Sequence, residues 1–298
     1  MNLNVTLAIF WRNFVSYFIN PTGYVFICLF VLMSAVAAFW PNDFFNNNLA
    51  NLDQLHRAMP LILLVFIPAV TMGVWAEERS EGTDEVLLTL PASDLDVVVG
   101  KYLAVVAIFT VSLLFSISNV FVLNLLGTPD YGILAANYFG YWLMGLTMLS
   151  VGMVASFVTS NLTVAFILGL VFNAPLVALT YADVVIRDPD TARTLSELSV
   201  GRQFSDFGRG VVTLSGTLYF IGIVGSMLYV CMVLIGRRNW AGSTRAREGE
   251  NNVVVENAVS GFVVFTLVAS LVALGVSLGS QLWGGQGAAA VTQSTVIT

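Results

Sequence analysis

Apolar residues fall into seven long runs, at residues 24–40, 60–76, 101–126, 137–158, 162–181, 211 or 214 to 235, and 258–278. Most are about 20 residues long, the length a helix needs to cross the hydrocarbon core of a bilayer. The runs are continuous and do not alternate, which excludes a membrane β-barrel. Ahead of the first run, Leu3, Leu7, Phe10, Phe14 and Phe18 recur at helical spacing, with Thr6, Asn13, Ser16 and Asn20 on the other side. This pattern predicts an amphipathic helix over 3–19 lying in the membrane interface, with Trp11 and Tyr17 at headgroup level. Asn20-Pro21 ends it. The predicted fold is an all-α polytopic membrane protein.

The breaks between the runs are also informative. Residues 41–59 form an Asn-rich polar loop, in which His56 is read as solvated. The second run contains Pro68 and leads directly into a charged stretch, so the two are expected to move together. Gly127-Thr128-Pro129-Asp130 is a turn signal. The fifth run carries Asn173 and Pro175 deep in its length, as a pathway contact or as a packing hydrogen bond with a tolerated kink; the second is favoured. Residues 183–210 hold four arginines and five carboxylates interleaved with Leu195, Leu198, Val200, Phe204 and Phe207, a pattern for short amphipathic helices at the interface. Gly222, Gly225 and Ser226 suit close helix packing in the sixth run. Residues 241–257 read as a linker, 258–278 as an additional span, and the Gly/Ala/Ser/Thr-rich 279–298 as a disordered tail.

Composition sharpens this picture. Of the 298 residues, 57% are hydrophobic and only 10% charged, with a mean hydropathy of +0.84. Soluble domains carry about 25% charge, so a soluble globular protein is excluded. No basic cluster exceeds the four arginines within 237–247, which excludes nucleic acid as a partner. Cys28 and Cys231 both lie in apolar runs and read as small hydrophobes. The first run is long for a secretory leader and only Arg12 precedes it. With the N-terminus inside, Arg12, Arg79, Lys101 and the arginines at 237, 238, 245 and 247 are cytoplasmic. Arg57 and the four arginines of 183–210 are then outside, seven against five of the chain's 12 cations.

Catalytic chemistry is missing from the sequence. There is no phosphate-binding G-x-x-x-x-G-K-[ST] loop, no metal-ligand spacing, no dinucleotide fingerprint and no partner motif for the single histidine. No catalytic residue, cofactor or metal is assigned. No carboxylate falls in mid-span, which disfavours an ion-coupled carrier. If the chain moves a substrate, the energy is expected from another subunit.

The densest charge lies at residues 77–91, EERSEGTDEVLLTLP, where Glu77, Glu78, Glu81, Asp84 and Glu85 face a single cation, Arg79. A charge at the bilayer centre costs roughly 2.5 kcal/mol or more, so this stretch lies outside the bilayer. Val86, Leu87, Leu88 and Leu90 then give a short amphipathic helix that Pro91 stops.

Three stretches resemble the ABC-2 type transporter permeases, in the branch related to the gliding-motility-associated ABC permease. They are FVSYFINPTGYVF at 14–26, WAEERSEGTDEVLLTLP at 75–91 followed by Val99-Gly100-Lys101, and FSDFGRGVVTLSGTLYF at 204–220 ending in Arg237-Arg238. The resemblance covers residues 1–240 and is most specific in the middle stretch. It implies a six-span transmembrane domain preceded by an interfacial helix, in a multi-pass protein of the bacterial plasma (inner) membrane with a cytoplasmic N-terminus. It implies export driven by a separate cytoplasmic ATPase subunit, and a homodimer or a heterodimer with a second permease. By the same resemblance, Glu77, Glu78, Arg79, Gly82, Thr83, Glu85, Leu88 and Pro91 form the ATPase-coupling element. The seventh run departs from the six-span pattern and points to an extracytoplasmic accessory protein as a further partner besides membrane lipid. The alternative is a non-transporting scaffold anchoring an envelope or motility machine.

Overall fold

The computed structural model describes residues 2–40, 51–83, 93–178 and 200–241. All regular structure among them is helical. Helix α1 (Leu3–Ile19) starts where the Asn2 side chain accepts from the Asn4 amide, and ends at Asn20-Pro21. Helix α2 (Thr22–Phe39) is the first span. Helices α3 (Asp53–Thr71) and α4 (Gly73–Ser80) follow one another across Met72. Helix α5 (Asp94–Phe115) opens with a capping box between Ser93 and Asp96 and is continued by α6 (Ser118–Leu126). Helix α7 (Tyr131–Val158) is capped by the Asp130 carboxylate, which accepts from the amides of Gly132 and Ile133. Helices α8 (Leu162–Ala178), α9 (Val200–Gly208) and α10 (Leu214–Ala241) complete the bundle.

Among the described residues, five helical stretches are long and apolar enough to cross a membrane: α2, α3 with α4, α5 with α6, α7, and Leu214–Ile235 of α10. Helix α8 is a shorter apolar helix of 17 residues. The fold is therefore an all-helical polytopic membrane domain. The expected seventh span at 258–278, the linker beyond 241 and the tail lie outside the described residues.

Helix α7 is the axis, packed by α3, α4, α5, α8, α9 and α10. In α7, 89% of the apolar stretch is buried, against 22% in α2. Small residues admit its neighbours. A Cβ at Gly140 would lie 2.8 Å from Phe207 Cβ, one at Gly145 2.1 Å from Phe109 Cε1, and one at Gly152 2.4 Å from Thr71 Oγ1. Without a hydrophobic driving force between helices in lipid, such close approach supplies the dispersion contact that holds them. Gly222 and Gly225, expected to play this part, have nothing within 4 Å of a Cβ. The Ser226 hydroxyl bonds within its own helix, to Ile223 O.

Helix α1, expected at the membrane interface, packs against the bundle. It docks along α5, with Ile9 and Thr6 against Gly100, where a Cβ would meet Ile9 Cγ2 at 2.9 Å. Asp96 Oδ1 accepts from the Asn2 amide at 2.9 Å and the Thr6 hydroxyl at 3.0 Å. Leu3, Leu7, Trp11 and Ile19 are 61–77% exposed on the other side. Thr6 and Ile9 thus face the protein, while these apolar residues face outward, as suits a hydrocarbon surround.

Two expectations about single residues are corrected. His56 is not in a solvated loop: α3 begins at Asp53, seven residues before the expected start of the second span. Its imidazole stacks on Phe204 of α9, with ring centroids 4.0 Å apart and planes 5° from parallel. Among the described residues Asn173 makes no interhelical bond; its Nδ2 donates to Gly169 O, one turn back in α8, at 2.8 Å. The amphipathic pattern at 200–208 does form a helix, and it buries Val200, Phe204 and Phe207.

Candidate functional site

The charged end of the molecule is built on the join between α3 and α4. The two helices meet at Met72, whose backbone is right-handed helical (φ −54°, ψ −36°) and whose amide still donates to Pro68 O at 2.9 Å. Ser156 of α7 bridges the join. Its hydroxyl donates to Met72 O at 2.8 Å and accepts from the amides of Trp75 at 3.1 Å and Ala76 at 3.3 Å. One hydroxyl therefore fixes the angle at which α4 leaves the bundle.

Along α4, Trp75 and Ala76 are buried while Glu77 and Ser80 are exposed. Glu78 turns inward. Its Oε1 meets Arg12 Nη2 of α1 at 2.5 Å, and its Oε2 meets Lys101 Nζ of α5 at 2.6 Å. The Lys101 side chain is wholly buried, donates to Val74 O at 2.6 Å and lies 4.5 Å over the Trp75 ring. An isolated buried ammonium is strongly disfavoured, so the carboxylate, carbonyl and indole are what make this position tenable. Arg79 also turns back to the protein. Its Nη1 donates to Phe157 O, and its guanidinium lies 4.5 Å over the Phe157 ring. Glu78 thereby links α1, α4 and α5, and Arg79 links α4 to the end of α7.

Gly82 ends α4 at φ 70°, a left-handed conformation that favours glycine. The Thr83 amide donates to Glu78 O at 2.9 Å and the Gly82 amide to Arg79 O at 3.3 Å, the paired bonds of a Schellman motif. The helix is thus closed by a turn at Gly82. Glu85, Leu88 and Pro91 of the predicted element, with the amphipathic helix expected around them, lie outside the described residues. Asn173 and Pro175 are not part of this cluster; they sit in α8, which packs on α7 and α3.

A cavity of about 190 Å³ lies beside the cluster, bordered by Asn13, Tyr17, Asn20, Val70, Glu77 and Lys101 among others. The Tyr17 hydroxyl donates to Val70 O at 2.9 Å. Burial, and then the nearby charge of Glu77, raise the pKa of its phenol well above the ordinary value.

In the sequence Arg12 was visible only as a topology marker, and Lys101 as a topology marker and the end of the Val99-Gly100-Lys101 stretch. A signal for Lys101 was present: Ser93-x-x-Asp96 reads as a capping box. It starts the helix at 94 and puts Lys101 two turns inside an apolar helix, where a charge needs a partner. Nothing local marks Arg12, whose partner is 66 residues away.

The arrangement is that of a polytopic helical membrane bundle with a short charged helix emerging at one end, anchored to three of its helices. It holds no group of His, Cys, Asp and Glu able to bind a metal among the described residues. Residues 40–236 match the family described as ABC-2 family transporter protein, and the chain belongs to that family. The matched region runs from just past the first span to the end of the apolar part of α10, leaving α1 and all of α2 outside it. A comparison with curated proteins gives no match.

Proposed function

We propose that this membrane domain is the permease subunit of an ATP-driven exporter whose power comes from a separate cytoplasmic ATPase, received through α4 and the residues that follow it. The observation that carries this is the Glu78 junction: a displacement of α4 is passed at once to α1 through Arg12 and to α5 through Lys101. Glu78 and Arg79 act as internal couplers in this scheme, since both bond to the protein itself. Docking falls to the exposed Glu77 and Glu81 and to the acidic and apolar residues at 84–91, including Glu85, Leu88 and Pro91. Charged groups suit such a role because they set partner choice and encounter rate.

The finer assignments follow from the same reading. The permease pairs with a second copy or a second permease in the bacterial plasma membrane, with its N-terminus cytoplasmic. The resemblance of the stretch at 75–91 supports the gliding-motility-related branch, and in this reading the seventh run serves an extracytoplasmic accessory protein.

The test uses a chain in which Cys28 and Cys231 are serine and Glu81 is cysteine. A membrane-impermeant maleimide applied to intact cells should leave residue 81 unlabelled, and should label it after permeabilisation. Affinity purification of the wild-type chain should recover an ATP-hydrolysing subunit, and Glu77→Lys with Glu85→Lys should release it. Labelling from outside in intact cells sinks the proposal.

A further inference from the structure

Glycine inside a helix costs about 1 kcal/mol relative to alanine, so its place in a span calls for a return. In α5, α7 and α8 the return is visible. A Cβ at Gly100, Gly140, Gly145, Gly152 or Gly169 would lie within 3.1 Å of an atom on a neighbouring helix. Gly222 and Gly225 of α10 have nothing within 4 Å of a Cβ. Both are exposed, on one stripe with Leu218 and Tyr229, which are 59% and 62% exposed. The spacing of positions 218, 222, 225 and 229 is that of a seam between two packed helices. The glycines put a notch at the centre of this seam, where a partner backbone can approach closely.

The chain itself supplies a partner. Helix α10 runs in the same direction as α7: Phe207 lies against both Gly140 and Gly216, and further along the Thr147 hydroxyl reaches Phe220 O at 3.4 Å. Helix α10 therefore ends on the side of α4. From there the 16 residues 242–257, with Arg245, Arg247, Glu248, Glu250 and Glu256, lead to the apolar run 258–278. That run has the length to cross back, antiparallel to α10. At helical spacing, Thr266, Ala269, Ser270, Ala273 and Ser277 fall on one face of it, and Val264, Leu267, Leu271, Leu274 and Leu278 on the opposite face. The depths also agree. Gly225 and Gly222 lie 10 and 13 residues before Ile235, where the apolar part of α10 ends; Ala269 and Ser270 lie 11 and 12 residues after Ala258, where the run begins. The small face thus comes level with the notch. We propose that residues 258–278 pack antiparallel on this face of α10, Ala269 against Gly225 and Ala273 against Gly222, with the leucine face turned to lipid. The inference is independent of any ATPase role for α4.

The experiment uses the full chain in native membranes, with Cys28→Ala, Cys231→Ala and a site for a specific protease inserted within 242–257. Gly225→Cys with Ala269→Cys is oxidised with copper phenanthroline, cut by the protease and run on a gel without reductant. A disulfide needs Cα atoms about 5.5 Å apart, a distance that close helix packing provides. The pair should hold both pieces in one band at the mass of the whole chain, and reductant should release them. Gly225→Cys with Leu271→Cys, near the same depth on the other face, should separate into two pieces. Gly222→Cys with Ala273→Cys is the second reporter and decides the matter if the first variant does not reach the membrane. Separation of both reporter pairs after oxidation, or equal retention with Leu271→Cys, overturns the proposal. So does a dimer band from Gly225→Cys alone in place of the whole-chain band, which would give the face to a second copy.

Discussion

Glu78 and Lys101 meet at 2.6 Å, and the lysine side chain of the pair has no exposure while the glutamate side chain keeps 17%. Removing the glutamate alone leaves an ammonium buried without its counter-ion. Such a loss costs about 3 kcal/mol, the low end of the range for buried pairs because Glu78 is partly hydrated. Glu78→Gln should therefore lower the unfolding midpoint in denaturant, and the double variant Glu78→Gln with Lys101→Met should recover most of the loss. If the double variant is no more stable than the single, the pair is not the source of the effect.

Ser156 satisfies three backbone groups at the α3–α4 join. Ser156→Ala leaves two amides and a carbonyl without that partner, at about 1–3 kcal/mol in total if the join relaxes little. Hydrogen exchange should show faster exchange at the Trp75 and Ala76 amides, with other α7 amides unchanged. Ser156→Thr, which keeps the hydroxyl, should protect both amides better than alanine does.

The Phe109 ring lies directly over Gly145. A methyl placed 2.1 Å from Phe109 Cε1 cannot be accommodated without moving the ring or the helix. Gly145→Ala should destabilise the protein by about 1–3 kcal/mol, as overpacking does. Adding Phe109→Leu should restore part of that stability, which a thermal unfolding series will show.

Gly82 has nothing within 4 Å of a Cβ, so substitution there acts through the backbone alone. Gly82→Ala should cost about 1–2 kcal/mol locally, and Gly82→Asn less, because asparagine tolerates the left-handed region. The expected readout is fraying of the Thr83 and Gly82 amides in hydrogen exchange, with global stability nearly unchanged. A large global loss would mean that the turn supports packing that Gly82 itself does not touch.

The spans were legible because lipid demands continuous apolar length, and every described run appears as a helix near its expected position. The start of α3 was misplaced because Asp53, Gln54, His56 and Arg57 look like a loop. Yet Leu52, Leu55 and Met59 repeat at helical spacing there and are fully buried or nearly so. Of the candidate site, the charge density of 77–83 and the turn at Gly82 were readable. Which acid faces inward was not, because Glu77 and Glu78 are adjacent in sequence and chemically alike. Their roles separate only through Arg12 and Lys101, brought in from other helices. Asn173 looked like a bridge between helices because a buried amide needs partners, and its own backbone one turn back supplied one.

The docking of α1 has a consequence for biosynthesis. Its partners lie far downstream: Asn2 and Thr6 bond to Asp96, 94 and 90 residues later, and Arg12 pairs with Glu78, 66 residues later. A chain made from its N-terminus exposes this first helix long before residues 78–101 exist. Helix α1 is thus made well before the residues that fasten it. Until the second membrane segment and its charged end are made, Arg12 waits at the bilayer surface without Glu78.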